Sequence, residues 1–164
     1  MTDEQAALLR ALEAQRRHVL GAVEGLSEED LRRPVLPSGW SCLGLIQHLA
    51  FDVEHFWFVQ VVSGQHEDQL AESIEDGWKV SPETTAEDVL DLYRHATERA
   101  SDVIRETPAD APPKWWPEEL FGTWRLDSVR LIVLHVISET ACHAGHLDAA
   151  RELIDGAQWL VLNG

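Results

Sequence analysis

Residues 127–154 read DSVRLIVLHVISETACHAGHLDAARELI, and this stretch decides the fold. Asp127 or Ser128 caps a helix start, and Gly156 ends it, so the run reads as one long helix. His135, Glu139 and His143 recur at intervals of four, each about 40° around from the last. His146, seven past Glu139, returns almost to the same azimuth. A buried carboxylate without a partner is expensive, and a metal ion relieves that cost. The stripe predicts a divalent cation held between this helix and a second one.

The second helix runs from Trp40-Ser41, with Ser41 as N-cap, to about Val62, before Ser63-Gly64 stops it. It is apolar almost all round, so it belongs at the centre. Within its stretch GLIQHLAFDVEHFWF stands His48. A lone histidine on an apolar face is more often a core residue bonded to some acceptor. Glu139 and His143 also have the spacing of an ordinary i,i+4 hydrogen bond, with His146 exposed. Taken together, with His48 facing the carboxylate and imidazole across the bundle, the three residues favour a metal. Two imidazoles and one carboxylate suit zinc, with nickel or iron as substitutes. Three protein ligands leave an open position, the mark of a catalytic rather than a structural site. Asp52 and Glu54 are either supporting partners of His48 or solvated.

Two further helices complete the set. Residues 3–24 carry Ala7, Leu8, Ala11, Leu12, Gln15, Val19, Leu20 and Val23 at helical spacing, and Ser27 opens one more turn. Thr85, with Asp88 three residues on, starts a helix continued by Val89, Leu92, Tyr93, Ala96, Ala100, Val103 and Ile104. Gln65 to Ser81 is acidic, contains Gly77 and Trp78, and reads as a long surface connection. Thr107 to Leu126 holds Pro108, Pro112, Pro113 and Pro117, which exclude regular helix or strand. Its Trp115, Trp116, Phe121 and Trp124 would be costly in water, so the loop should fold over something. One reading makes these rings a wall of the pocket above the metal, and the other makes them a cap on the core. The apolar tail Gln158 to Leu162 should dock on the body or on a second subunit, which leaves a homodimer open. The whole, residues 1–164, is an all-α single domain, a four-helix up-down bundle with long connections.

With 29 acidic against 13 basic side chains the formal charge is −16. That argues against nucleic acid and anionic membrane surfaces as partners. The charged amphipathic N-terminus lacks the apolar core of a signal peptide, and the expectation is a cytoplasmic protein. Cys42 and Cys142 then read as buried free thiols, with a disulfide the other option.

The paired segments W-S-x-L-G-L-I-x-H-L-A…V-E-H-F-W and H-V-I-S-E-T-A-C-H-A-G-H-L-D resemble the DinB-like four-helix superfamily. The nearest likeness is its branch of mycothiol-dependent maleylpyruvate isomerases and mycothiol S-transferases. The resemblance implies zinc or a related ion on His48, Glu139 and His143, with His146 beside the metal and not on it. Where many relatives carry a basic residue before the last ligand, this chain has Cys142. The implied chemistry is activation of a low-molecular-weight thiol, mycothiol, toward an electrophilic small molecule, as a transferase or an isomerase. Two other readings fit the same residues: metal-assisted hydrolysis, and a metal- or small-molecule-binding module without catalysis.

Overall fold

A computed structural model of the protein describes residues 1–66 and 77–159, which form helices and loops with no strand among them. The helices are α1 (Asp3–Val23), α2 (Glu28–Arg32), α3 (Cys42–His48), α4 (Ala86–Glu106), α5 (Glu118–Phe121) and α6 (Val129–Asp155). A π-helical segment (Leu49–Val62) continues α3 without a break, so the two act as one rod. The starts lie where a side-chain oxygen meets exposed backbone N–H groups. Thr2 and Thr85 close capping boxes with Gln5 and Asp88. Ser27, Ser41 and Ser128 each accept from the backbone three residues on. Ser128, not Asp127, therefore caps α6, and Gly156 ends it in the left-handed conformation at φ 77°.

The four long rods form a ring in which α1 touches α4 and α6, and the α3/π rod touches the same two. Hydrogen bonds at the ends give their directions. Gln5 near the start of α1 donates to the Ile104 and Thr107 carbonyls at the end of α4, at 3.1 and 2.8 Å. Arg151 near the end of α6 donates to the Ala22 and Glu24 carbonyls that α1 leaves open, at 3.1 and 2.8 Å. Thus α1 runs against α4 and along α6. His48 meets His143 while the later Trp57 meets the earlier His135, so the α3/π rod runs against α6. The rods point up, down, down and up, and the long connection after Val62 carries the chain back along the bundle. No helix among the described residues is long and apolar enough to cross a membrane.

The buried face of α1 differs from the expected one. It passes through Gln5, Leu9, Leu12, Arg16, Val19 and Val23, while Ala7 and Ala11 face solvent. Hydrophobic periodicity skipped the two polar members of this stripe because their burial depends on partners elsewhere in the chain. Arg16 Nε and Nη2 donate to Glu54 Oε1 and Oε2 at 2.7 and 2.6 Å, and Nη1 to Ser101 Oγ at 2.8 Å. Glu54 is fully buried, so it is neither solvated nor a partner of His48. It pins α1 to the opposite rod across the bundle.

The second rod departs from regular helix after His48, although the sequence predicted one through Val62. Long π-helical runs are rare. The segment LAFDVEHFWFVQVV is apolar nearly all round, so no polar stripe exists whose drift could betray a change of pitch. Its last carbonyls are taken by the proline-rich loop between α4 and α6, with Lys114 N donating to Val62 O at 3.3 Å and Trp115 N to Val61 O at 3.2 Å. That loop does contain one helical turn, α5, contrary to the reading from its prolines. Pro117 sits just before the turn, where a missing N–H costs nothing. Of the tail, Trp159 stacks on His18 at 6.3 Å and covers Gly21, where any Cβ would fall 2.2 Å from its ring. Leu160 to Leu162 lie outside the described residues.

Candidate metal centre

The α3 helix brings His48, and α6 brings Glu139 and His143, to one place: a ligand atom from each lies within 4.8 Å of the others. His143 Nε2 is 3.4 Å from Glu139 Oε1, and the His48 and His143 rings meet edge to face at 5.1 Å. The two imidazoles are 13% and 12% exposed, against 38% for the carboxylate. His48 Nδ1 lies 2.8 Å from Asp52 Oδ2. A carboxylate only accepts, so Nδ1 is the donor, and in the neutral ring Nε2 is then the acceptor. That Nε2 is buried and has no hydrogen-bond partner. An unpaired buried acceptor is costly, a cost that a bound cation would relieve. Burial, reinforced by His48, holds the His143 imidazole below its ordinary range, with Glu139 opposing. A neutral imidazole is the form that binds metal.

Asp52 thus stands where a carboxylate would orient His48 toward a cation. Asp52→Ala should weaken zinc affinity about 10- to 100-fold while leaving the helix content unchanged. Competition with a zinc chelator measures the first and far-ultraviolet circular dichroism the second. Equal affinities would leave Asp52 a surface carboxylate.

The ring over the triad comes from the connection that sequence reading placed on the surface. Trp78 stacks on His48 at 4.2 Å and 18°, and meets the His143 ring at 5.7 Å. Gln47 Nε2 holds its segment by donating to the Gly77 and Lys79 carbonyls, both at 3.1 Å. Two glycines allow the approach. A Cβ on Gly44 would fall 2.2 Å from the Trp78 carbonyl oxygen, and one on Gly77 would fall 2.2 Å from Asp52 Oδ2. Gly44→Ala adds about 1 kcal/mol of helix propensity but meets backbone, where overpacking costs about 1–3 kcal/mol. The expected result is a lower melting temperature and loss of the near-ultraviolet signal of the stacked indole. An unchanged spectrum would show that Trp78 does not depend on this contact. The cost of leaving an indole in water, already applied to Trp115 and Trp116, was the signal that could have found Trp78.

His146 stands beside the triad, with Nδ1 3.4 Å from His143 Nδ1 and its ring 6.2 Å from Trp40. Cys142 Sγ is 4.0 Å from His146 Nε2. Cys142 is exposed, which corrects the expectation of two buried thiols; only Cys42 is buried, and both are free. Cys142 stands two residues past the fully buried Thr140, and that offset turns it to the far side of the helix. Burial pushes the Cys42 thiol up to about 11. Iodoacetamide on the folded protein should therefore alkylate Cys142 and spare Cys42, as peptide mass spectrometry will show. Rapid labelling of both would contradict the packing around α3.

The aromatic loop meets the bundle one turn earlier along α6. Trp116, Phe121 and Trp124 gather on Trp57 and His135, with Trp57–Phe121 parallel at 5.5 Å, Trp57–His135 at 4.9 Å and Trp124–His135 at 5.6 Å. Trp115 lies on Phe56 at 6.4 Å and His66 at 4.5 Å. His135, though on the ligand stripe, faces these rings. Burial holds its imidazole below the usual range, opposed by the nearby Glu139 charge.

Comparison with known proteins adds one match. Residues 7–156 fit the family model described as mycothiol-S-transferase, a span that includes His48, Glu139 and His143. No curated protein and no solved structure matches.

Proposed function

Since this chain belongs to the mycothiol S-transferase family, we propose that it holds a divalent cation, zinc by its donor set, on His48, Glu139 and His143. There it transfers a low-molecular-weight thiol, mycothiol, to a small electrophile. The observation that carries the proposal is the buried Nε2 of His48, unpartnered beside a carboxylate and a neutral imidazole. A cation at that point supplies positive charge next to an open coordination position, which favours a thiol in its anionic form near neutral pH.

The residues around it do the rest. Asp52 fixes the His48 ring and its tautomer. Glu139 contributes one negative charge and leaves the site a net positive charge when loaded. Trp78 covers the imidazoles on one side, limiting water at the site. His146 holds the face of His143 turned from Glu139. In transfer the new S–C bond forms as the bond from carbon to its leaving group breaks; the thiol proton goes to solvent and the leaving group departs as an anion. Neither cysteine of the chain is needed, because the sulfur arrives with the cosubstrate.

The test is transfer of mycothiol to monochlorobimane by the purified protein before and after chelation, followed by bimane fluorescence. Turnover should vanish with the metal and return with added zinc. Full activity in the metal-free protein would overturn the proposal. Hydrolysis of an ester acceptor without any thiol would favour the hydrolase reading.

A further inference from the structure

We infer that His146 is a positioning residue of the metal centre: it accepts the ring proton of His143 and so holds that imidazole with Nε2 turned to the cation. The inference rests on the metal reading above and adds a residue that acts through a ligand without touching the ion.

Both imidazoles of the triad need the same support. A ligating histidine gives one nitrogen to the metal and donates the N–H of the other to an acceptor, which fixes its tautomer and its orientation. For His48 the acceptor is the Asp52 carboxylate. For His143 the structure gives a different one. Its Nε2 faces Glu139 Oε1 at 3.4 Å, so this nitrogen lies on the side of the triad. Its Nδ1 faces His146 Nδ1, also at 3.4 Å. Two ring nitrogens share a hydrogen bond only if one carries a proton and the other does not. With Nε2 engaged by the cation, the His143 proton is on Nδ1, and His146 Nδ1 is its acceptor. The proton of the neutral His146 ring is then on Nε2, which faces Cys142 Sγ, a weak acceptor, at 4.0 Å.

The helix supplies this arrangement. Residues three apart are neighbours on one helix face, and the His143 and His146 rings stand 5.4 Å apart at 63°. Trp40, just before the Ser41 cap of α3, meets the His146 ring at 6.2 Å and narrows the directions an exposed side chain can take. The acceptor's charge matters as well. Asp52 brings negative charge to one imidazole, whereas His146 brings none to the other. A second carboxylate in its place would further offset the positive charge that favours a bound thiol as its anion.

The experiment reads metal affinity and tautomer rather than turnover. His146→Phe keeps a ring against Trp40 and removes the acceptor, while His146→Gln offers Oε1 in its place. In competition with a zinc chelator, His146→Phe should weaken zinc affinity about tenfold, the lower end for loss of such a partner, because water reaches this exposed position. His146→Gln should stay near the wild type. Long-range proton–nitrogen correlation spectra of the zinc-loaded wild type, at about pH 8 where imidazoles are ordinarily neutral, should show His143 protonated on Nδ1 and His146 on Nε2. Equal affinities for the wild type and His146→Phe would overturn the role, as would His143 bound through Nδ1. Equal losses in the two variants would make His146 a packing residue and overturn it too. A wild type that takes up no zinc would instead remove the metal reading itself, and this role with it.

Discussion

His143→Ala is expected to abolish bound metal and thiol transfer together. Zinc content, near one equivalent in the wild type, should fall to background, and kcat/KM should drop by about two orders of magnitude or more. The effect is large because the His143 side chain is only 12% exposed and offers one of only two imidazoles in the triad. Replacement leaves Glu139 and His48 to hold the ion alone. Glu139→Gln is the finer probe: it keeps the size of the side chain and removes its charge, so metal retention weakens while the fold stays intact. Plasma mass spectrometry of the purified variants reads the metal and the bimane assay reads transfer. A metal-free His143→Ala protein that still transferred thiol would separate the two and end the metal account.

Arg16→Met is expected to have the largest effect on stability. The Arg16–Glu54 pair spans the bundle with side chains 6% and 1% exposed. Removing the cation leaves a carboxylate buried with nothing to balance it, at a cost of about 3–5 kcal/mol. For a chain of this size that lowers the melting temperature by roughly 10 °C. Replacing both members, as in Arg16→Met with Glu54→Leu, removes the charge altogether and should recover most of the loss. Thermal unfolding followed by circular dichroism measures all three proteins. A single variant as stable as the double one would show that Glu54 escapes to solvent.

The sequence made the helices and the triad legible for the same reason: both are periodic. Caps at Ser27, Thr85 and Ser41 and the four-residue spacing of Glu139 and His143 are local signals, readable one helix at a time. What escaped depends on contacts between distant segments. Arg16 sits in the core because Glu54 lies opposite, and nothing near Arg16 in the chain says so. Trp78 covers His48 because Gly44 and Gly77 let two backbones approach, a property of the pair and not of either stretch. The π-helical pitch after His48 was hidden by a segment apolar on all sides. His135 belonged to the right stripe, yet it joins the loop's rings. Periodicity gives a side chain's direction around a helix but not which neighbour it meets.

Anomalous diffraction from zinc-loaded crystals is the most direct test of a cation on His48, Glu139 and His143. One strong peak is expected at the zinc edge, about 2.0–2.2 Å from His48 Nε2, a nitrogen of His143 and an oxygen of Glu139. His146 and Cys142 should lie outside bonding distance. A peak bound by Cys142 and His146 instead, or no peak between α3 and α6 at saturating zinc, would contradict it.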